Sequence, residues 1–571
     1  MAQLPDSPQS PGRKKARVLR KENSADASLI LSASSRVTKA FDVVEGTLLP
    51  NLAGENLEGF KAVLPRGHPL ALGFVGGEQT RAMDDLELTW GSCCSGSEGV
   101  HYVLEACAQA MEEIGLPVTF QHAFSCESNK AKRSWIADVL CKGKVFNREM
   151  QDTFASLAEV GCIFEDIKDM GSDMSKCSLH GKECPVPSVD CLFIGTSCKD
   201  LSRANSSVDK SKLVLAQESS RGASAQTFRG MLSYCEGHRP TLILFENVDA
   251  IDDKVSSTTE TNLSLLMGAM KDLGYEGQKI MTDGQEFGLP CRRRRLYVMF
   301  IDKRSSKVDT QTKPLSEIFS TLRTLVTSCM RSPPCSKECL LSPSDPGHLE
   351  LLEKALGDHQ QSAQKAAEKK AVPQTWMDKH MAYADDLGYR WGSPIDDELA
   401  GNKWYKTLSK READALVLSR VADPTCEFRN VSQSLGRINS MSRIGSKGKE
   451  VGPTMLPGQL LWVESQRRIL TGYEALIYQG FPIIPYLTKA RTLPHGCNTQ
   501  SFLTDIAGNA MAFPVVLAIL QATLASVPWL AAHDNEDDSD NDDEDDTQQK
   551  EAAADVETAL AALAQLQRSA R

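Results

Sequence analysis

Val189-Asp190-Cys191-Leu192-Phe193-Ile194-Gly195-Thr196-Ser197-Cys198-Lys199-Asp200-Leu201-Ser202-Arg203-Ala204-Asn205 is the stretch from which the fold is read. The apolar run Cys191 to Ile194 has the length and content of a buried strand, and Gly195 stops it. Cys198 therefore stands on a polar loop just beyond a strand's carboxyl end, where ligands and reacting groups gather in an open α/β sheet. A second strand of the same kind, Leu242-Ile243-Leu244-Phe245, runs into Glu246-Asn247-Val248. Two such strands in parallel place a thiol and a carboxylate at one edge of one sheet. A third stretch follows, Phe287-Gly288-Leu289-Pro290-Cys291-Arg292-Arg293-Arg294-Arg295-Leu296-Tyr297.

Working back toward the amino terminus, Leu86 to Trp90 reads as a strand and Gly91 to Gly99 as a turn of small residues. Val100 to Met111 then has helical spacing. A strand, a Gly/Ser turn and a helix start offer free backbone donors to an anion or to the methionine end of a ligand. Val118 to Ser125 is the next strand and leads to Glu127, and Cys162-Ile163-Phe164 leads to Glu165 and Asp166. An acidic residue at the end of the second strand is the usual ribose ligand of nucleotide-binding α/β folds.

Taken in order, these segments resemble the cytosine-5 methyltransferase family. Ser197-Cys198-Lys199 is similar to its Pro-Cys-Gln loop, Glu246-Asn247-Val248 to its Glu-Asn-Val, and Gly288 to Arg295 to its Gly-x-Pro-Gln-x-Arg-x-Arg run. The resemblance returns at Arg468 to Ala475 and Gln479 to Pro482, and ends at Ala507-Gly508-Asn509-Ala510. It implies an α/β, Rossmann-like S-adenosylmethionine-dependent methyltransferase fold, with a mostly parallel twisted sheet and an inserted target-recognition domain. It implies catalytic roles for Cys198, Glu246, Arg293 and Arg295, and S-adenosyl-L-methionine held by Ser95, Gly96, Gly99, Glu127, Asp166 and Asn509. DNA is the implied substrate, flipped out of its stack; RNA and a catalytically silent nucleic-acid-binding scaffold are the alternatives. Four positions depart from the family pattern. Glu98 stands for glycine, Ser197 for proline, and Lys199 and Cys291 for glutamine. Lys199 is expected to depress the thiol pKa of Cys198.

The resulting division is a disordered basic tail (1–34), an unassigned extension (35–83), a first catalytic block (84–302), a target-recognition domain (303–465), a returning catalytic block (466–532) and an acidic tail with an amphipathic helix (533–571). The basic tail has no signal-peptide core, and Arg13-Lys14-Lys15-Ala16-Arg17 reads as a nuclear import signal or as a solvated tail. The tail helix, with Leu560, Leu563 and Leu566, is a protein-partner contact or no site at all. The 17 cysteines read as reduced thiols. Cys177, His180 and Cys184, with Cys191 as a fourth group, match no common zinc spacing; the reading there is a surface loop and no metal.

Charge does not separate the classes. The net charge is -11, but ten negative charges lie in one block from Asp534 to Asp546, and without them the chain stands at -1. The longest apolar stretch, Phe513 to Leu530, carries Pro514, Gln521, Ser526 and Pro528, which suits a buried helix rather than a membrane span.

Overall fold

The computed structural model describes residues 36–64, 86–141, 160–203, 205, 213–216, 222–255, 260–368, 376–392, 397–435, 443–444, 450–489 and 493–530. The basic tail, the acidic block and the tail helix expected beyond it lie outside the described residues.

Nine strands form one sheet: β1 (Leu86–Cys93), β2 (Val118–Cys126), β3 (Cys162–Phe164), β4 (Met174–Cys177), β5 (Lys182–Pro185), β6 (Cys191–Gly195), β7 (Leu242–Val248), β8 (Tyr275–Asp283) and β9 (Arg294–Asp302). Their spatial order is β5-β4-β3-β2-β1-β6-β7-β9-β8. The five central strands, β3 to β7 across β1, are parallel, and antiparallel hairpins close both edges. Burial explains the composition of the middle strands. Cys191 to Ile194 and Leu242 to Phe245 are covered on both faces, which is why they read as unbroken apolar runs.

Helices Leu48–Lys61, Val100–Glu113, Leu315–Ser328 and Phe513–Ser526 lie together on one side of the sheet. Ala223–His238 and Asn262–Asp272 cover the other, where Phe228, Met231, Leu263 and Leu266 meet Phe124, Ile243 and Phe245. The chain order reverses between β1 and β6, with β2 on one side and β7 on the other. That reversal opens a crevice at the carboxyl ends of the strands.

Leu315–Ser328 packs on Phe513–Ser526 of the returning block. A small core of Leu399, Leu416, Val431, Trp462 and Ile469 joins short helices of the insertion to the antiparallel sheet of Phe428–Asn430, Leu461–Val463 and Arg468–Ile469, whose last strand belongs to the returning block. Gln500–Ser526 is apolar enough to cross a membrane, yet every residue of Phe513–Ser526 is buried within the protein. Its one amide, Gln521, donates to Ala53 O and accepts from Asn56, each at 3.0 Å.

Glycine spacing is tested most sharply where the first turn meets that helix. A Cβ on Gly99 would stand 1.7 Å from the Phe513 ring, whereas one on exposed Gly268 would meet nothing within 4 Å. Gly99→Ala is expected to lower stability by about 1–3 kcal/mol through overpacking. Gly268→Ala, in the interior of Asn262–Asp272, should raise it by up to about 1 kcal/mol. Paired thermal melts check the opposite signs.

Candidate functional site

A cleft with about 1270 Å³ of open space runs along the carboxyl ends of β1, β2, β3, β6 and β7. Eight of the ten residues singled out from sequence line it: Gly96, Glu127, Asp166, Cys198, Glu246, Arg293, Arg295 and Asn509. They come from seven separate segments of chain. Ser95 and Gly99 are not among the lining residues.

The reacting end is fixed by the register of β6 on β7, in which Gly195 pairs with Glu246. Three residues later Cys198 opens a turn, and its carbonyl accepts from Leu201 N at 3.0 Å and Ser202 N at 2.9 Å. The loop is tied down on both flanks. Asn247 Nδ2 donates to Thr196 O at 3.0 Å and to Thr196 Oγ1 at 2.9 Å. Ser197 N donates to Thr227 Oγ1, while Asp200 and Ser224 exchange a reciprocal pair at 3.1 and 2.9 Å. Asn247 was legible as part of a motif but not as a positioning residue; Thr227 and Ser224 carried no signal at all.

Glu246 is buried, and Arg295 Nε lies 3.0 Å from its Oε1. The alignment is that of an ion pair, not a hydrogen bond, so Oε1 has no hydrogen-bond partner among the described residues. Burial and the negative charge of Glu246 push the Cys198 thiol up, with Arg295 and Arg293 opposing. The expectation for Lys199 is thus corrected: its side chain is exposed, it has no part in this balance, and the thiol is raised. Arg293 also lines the cleft. Its guanidinium is buried and donates to the carbonyls of Met455, Gly508 and Ala510, joining the insertion to the returning motif. Burial and the nearby Arg295 lower its pKa from 12.5 to about 10. Cys291 is buried, donates to Tyr478 O at 3.2 Å and is not presented to the cleft.

At the other end Gly96 has a φ of +58°, and its N–H donates to Glu127 Oε2 at 3.1 Å. Ser95 stitches the first turn to β2, exchanging hydrogen bonds with Cys126 and meeting Ser92 Oγ at 2.6 Å. Asp166 caps the next turn by accepting from Lys168 N at 3.1 Å and lines the cleft. Asn509 donates to Asp505 O at 2.8 Å.

Cys177, His180 and Cys184 are not on the surface loop expected of them. They belong to the β4–β5 hairpin, and Cys162 stands beside them in place of Cys191, which lies in the core of β6.

Glu98 occupies a left-handed position, φ +53°, where glycine is free and a side chain is strained. Its carboxyl is buried and accepts from Ser92 Oγ at 2.9 Å. Burial raises its pKa from 4.5 to about 7, against the pull of Ser125, Ser92 and Ser95. A carboxyl raised in the fold is favoured when protonated. Stability is therefore highest below 4.5 and is lost as pH rises through about 7, by about 3 kcal/mol in all. Glu98→Gln is expected to remove that slope, melting higher than the parent at about pH 8 and equally at about pH 5; equal melting at both values would count against it.

Comparison with known proteins follows the same outline. The sequence pattern of the family described as C-5 cytosine-specific DNA methylase matches residues 145–525, two thirds of the chain. A DNA (cytosine-5-)-methyltransferase DMT5 of Cryptococcus neoformans is 27% identical over 469 residues, covering 78% of this chain and 17% of the relative. One from Verticillium dahliae is 22% identical over 487 residues, covering 76% and 19%. The chain thus spans less than a fifth of the length of these relatives. Among solved structures, Spodoptera frugiperda DNMT2 is 12% identical with a TM-score of 0.31, covering 76% of this chain and 99% of its own. Schizosaccharomyces pombe Dnmt2 is also 12% identical, at 0.32, covering 77% and 98%.

Proposed function

Because the chain belongs to the C-5 cytosine-specific DNA methylase family, we propose that it methylates C5 of cytosine in DNA through a covalent bond from Cys198 to C6. The observation that carries this reading is the buried Glu246 carboxylate, ion-paired to Arg295, in the same cleft as the Cys198 thiol.

Cytosine is a poor electrophile at C6 and a poor nucleophile at C5. A thiolate bond to C6 turns C5 into an enamine carbon, and cysteine is the side chain most nucleophilic near neutral pH. Once C5 is methylated, loss of its proton to a base expels the Cys198 thiolate and restores the C5–C6 double bond. Glu246 carries a proton to N3 and its carboxyl faces the exocyclic amine, so charge entering the ring is neutralised where it develops. The two groups help one another. Glu246 as a carboxylate raises the thiol; once protonated against the base it no longer does, and Arg295 and Arg293 then favour the thiolate. Arg295 holds the carboxyl in place. Arg293, bound to backbone carbonyls on both sides, acts as a positioning residue that closes the cleft floor.

The residues at the far end suit S-adenosylmethionine. Gly96 leaves the turn without a Cβ, and the Glu127 and Asp166 carboxylates at two strand ends suit ribose hydroxyls and an adenine amine. Asn509 lines the same cleft. When bound there, S-adenosylmethionine supplies the electrophilic methyl group. A nuclear location rests on the basic run Arg13 to Lys21.

Radiolabelled methyl transfer from S-adenosylmethionine, run side by side on duplex DNA and on transfer RNA, tests the reading. Label in DNA is the expected result; label in transfer RNA alone would replace the substrate, and label in neither would remove the activity. Glu246→Gln should slow transfer by ~10²–10⁴-fold while leaving the thermal shift by S-adenosylhomocysteine intact. Asn247→Ala should lower kcat with little change in KM for the cofactor, since it acts on the Cys198 loop alone.

A further inference from the structure

We propose that Cys162, Cys177, His180 and Cys184 form a structural zinc site that clamps the β4–β5 hairpin to β3. The four ligand atoms, one Nδ1 and three Sγ, all lie within 4.8 Å of one another. His180 Nδ1 stands 3.7 Å from Cys162 Sγ, 3.3 Å from Cys177 Sγ and 3.5 Å from Cys184 Sγ. Tetrahedral coordination with Zn–S near 2.3 Å and Zn–N near 2.05 Å requires nitrogen–sulfur separations of about 3.6 Å. The three distances bracket that value. Chance contacts between a histidine and buried thiols have no reason to converge on one ring nitrogen.

Local structure explains how residues so spaced reach one point. In the antiparallel β4–β5 pairing Cys184 lies opposite Ser175, so Cys177 is its diagonal neighbour on the same buried face. Gly181, at φ +65°, allows the tight turn that folds His180 back over both thiols. Cys162 arrives from the adjacent strand, β3. The surroundings also suit anionic sulfur, for Ile163 N donates to Cys177 Sγ at 3.4 Å. Three thiolates and an imidazole fill a tetrahedral shell and leave no open position, which marks a structural site and not a hydrolytic one. Thiolate-rich sites of this geometry select zinc over calcium or magnesium.

The hairpin needs such a clamp. β4 meets β3 through a single register pair, Phe164 with Cys177, supported by backbone bonds from Glu165 N to Lys176 O and from Ser178 N to Ile163 O. Most residues of β4 and β5 face solvent on one side, and the buried set there is small: Ser175, Cys177 and Cys184. Four bonds to one ion, three from strands and one from the hairpin turn, would hold this edge of the sheet, with the Glu165 and Asp166 turn directly beyond β3.

The full chain, purified under reducing conditions from zinc-supplemented cells, should carry about one equivalent of zinc by elemental analysis. Cobalt(II) exchange should give the visible d–d bands of tetrahedral, thiolate-rich coordination. Cys184→Ser and His180→Ala should lose most of the metal and melt at lower temperature. His180→Cys, which restores a fourth thiolate, should keep it, as should Cys335→Ser at a thiol outside the cluster. A reduced, folded wild-type chain without stoichiometric metal would overturn the proposal. So would a disulfide between two of the three thiols, or full zinc retention in both Cys184→Ser and His180→Ala.

Discussion

The side-chain amide of Asn247 donates to both the carbonyl and the hydroxyl of Thr196, and the placement of the reacting groups depends on that tie. β6 and β7 are parallel and in register at Gly195 and Glu246, so their loops leave the sheet side by side. Left alone, the loop after Gly195 would be free to swing. The amide locks it to the strand that carries Glu246, and Ser197, Asp200, Ser224 and Thr227 lock its other flank to the start of Ala223–His238. Thiol and carboxyl therefore belong to one rigid unit, although 48 residues separate them in sequence. Their electrostatic coupling follows from this rigidity, since the charge of one sets the proton affinity of the other.

A second constraint acts through Arg293. A buried guanidinium is costly to leave unpaired, and both terminal nitrogens of this one donate to carbonyls of the insertion and of the returning motif. The chain must therefore come back across the sheet before this charge can be buried. That couples the cleft floor to the last helices and explains why Gly508 has no room for a side chain, with Leu456 and Pro457 atoms within 2.6 Å of where its Cβ would stand.

Much of this architecture was readable from residue order. The apolar runs ending in Gly195 and Glu246, the small-residue turn after β1 and the acidic ends of β2 and β3 all follow from local patterning. The lining of the cleft by Cys198, Glu246, Glu127 and Asp166 followed from the same logic, because parallel strands present their carboxyl ends to one edge. What stayed hidden depends on side-chain direction across long separations. The thiol balance of Cys198 is set by burial and by groups on other strands, which its neighbour Lys199 cannot reveal. The thiol that lies beside the hairpin trio, Cys162, comes from a separate strand upstream, so a search for compact spacing picks Cys191 instead. That Leu315–Ser328 packs on Phe513–Ser526 was equally hidden, because nothing local says which layer a helix joins.

The claim on which the account rests is that Cys198, poised by Glu246, bonds to the ring of its substrate. Fluorine at C5 blocks the final elimination, since no proton can leave from that carbon. An oligonucleotide carrying 5-fluorocytosine, incubated with the protein and S-adenosylmethionine, should yield an adduct that survives denaturing electrophoresis. The adduct should persist in Cys291→Ser, whose thiol is buried away from the cleft, and vanish in Cys198→Ser. An adduct that remained in Cys198→Ser, or none in the wild-type protein, would contradict the account.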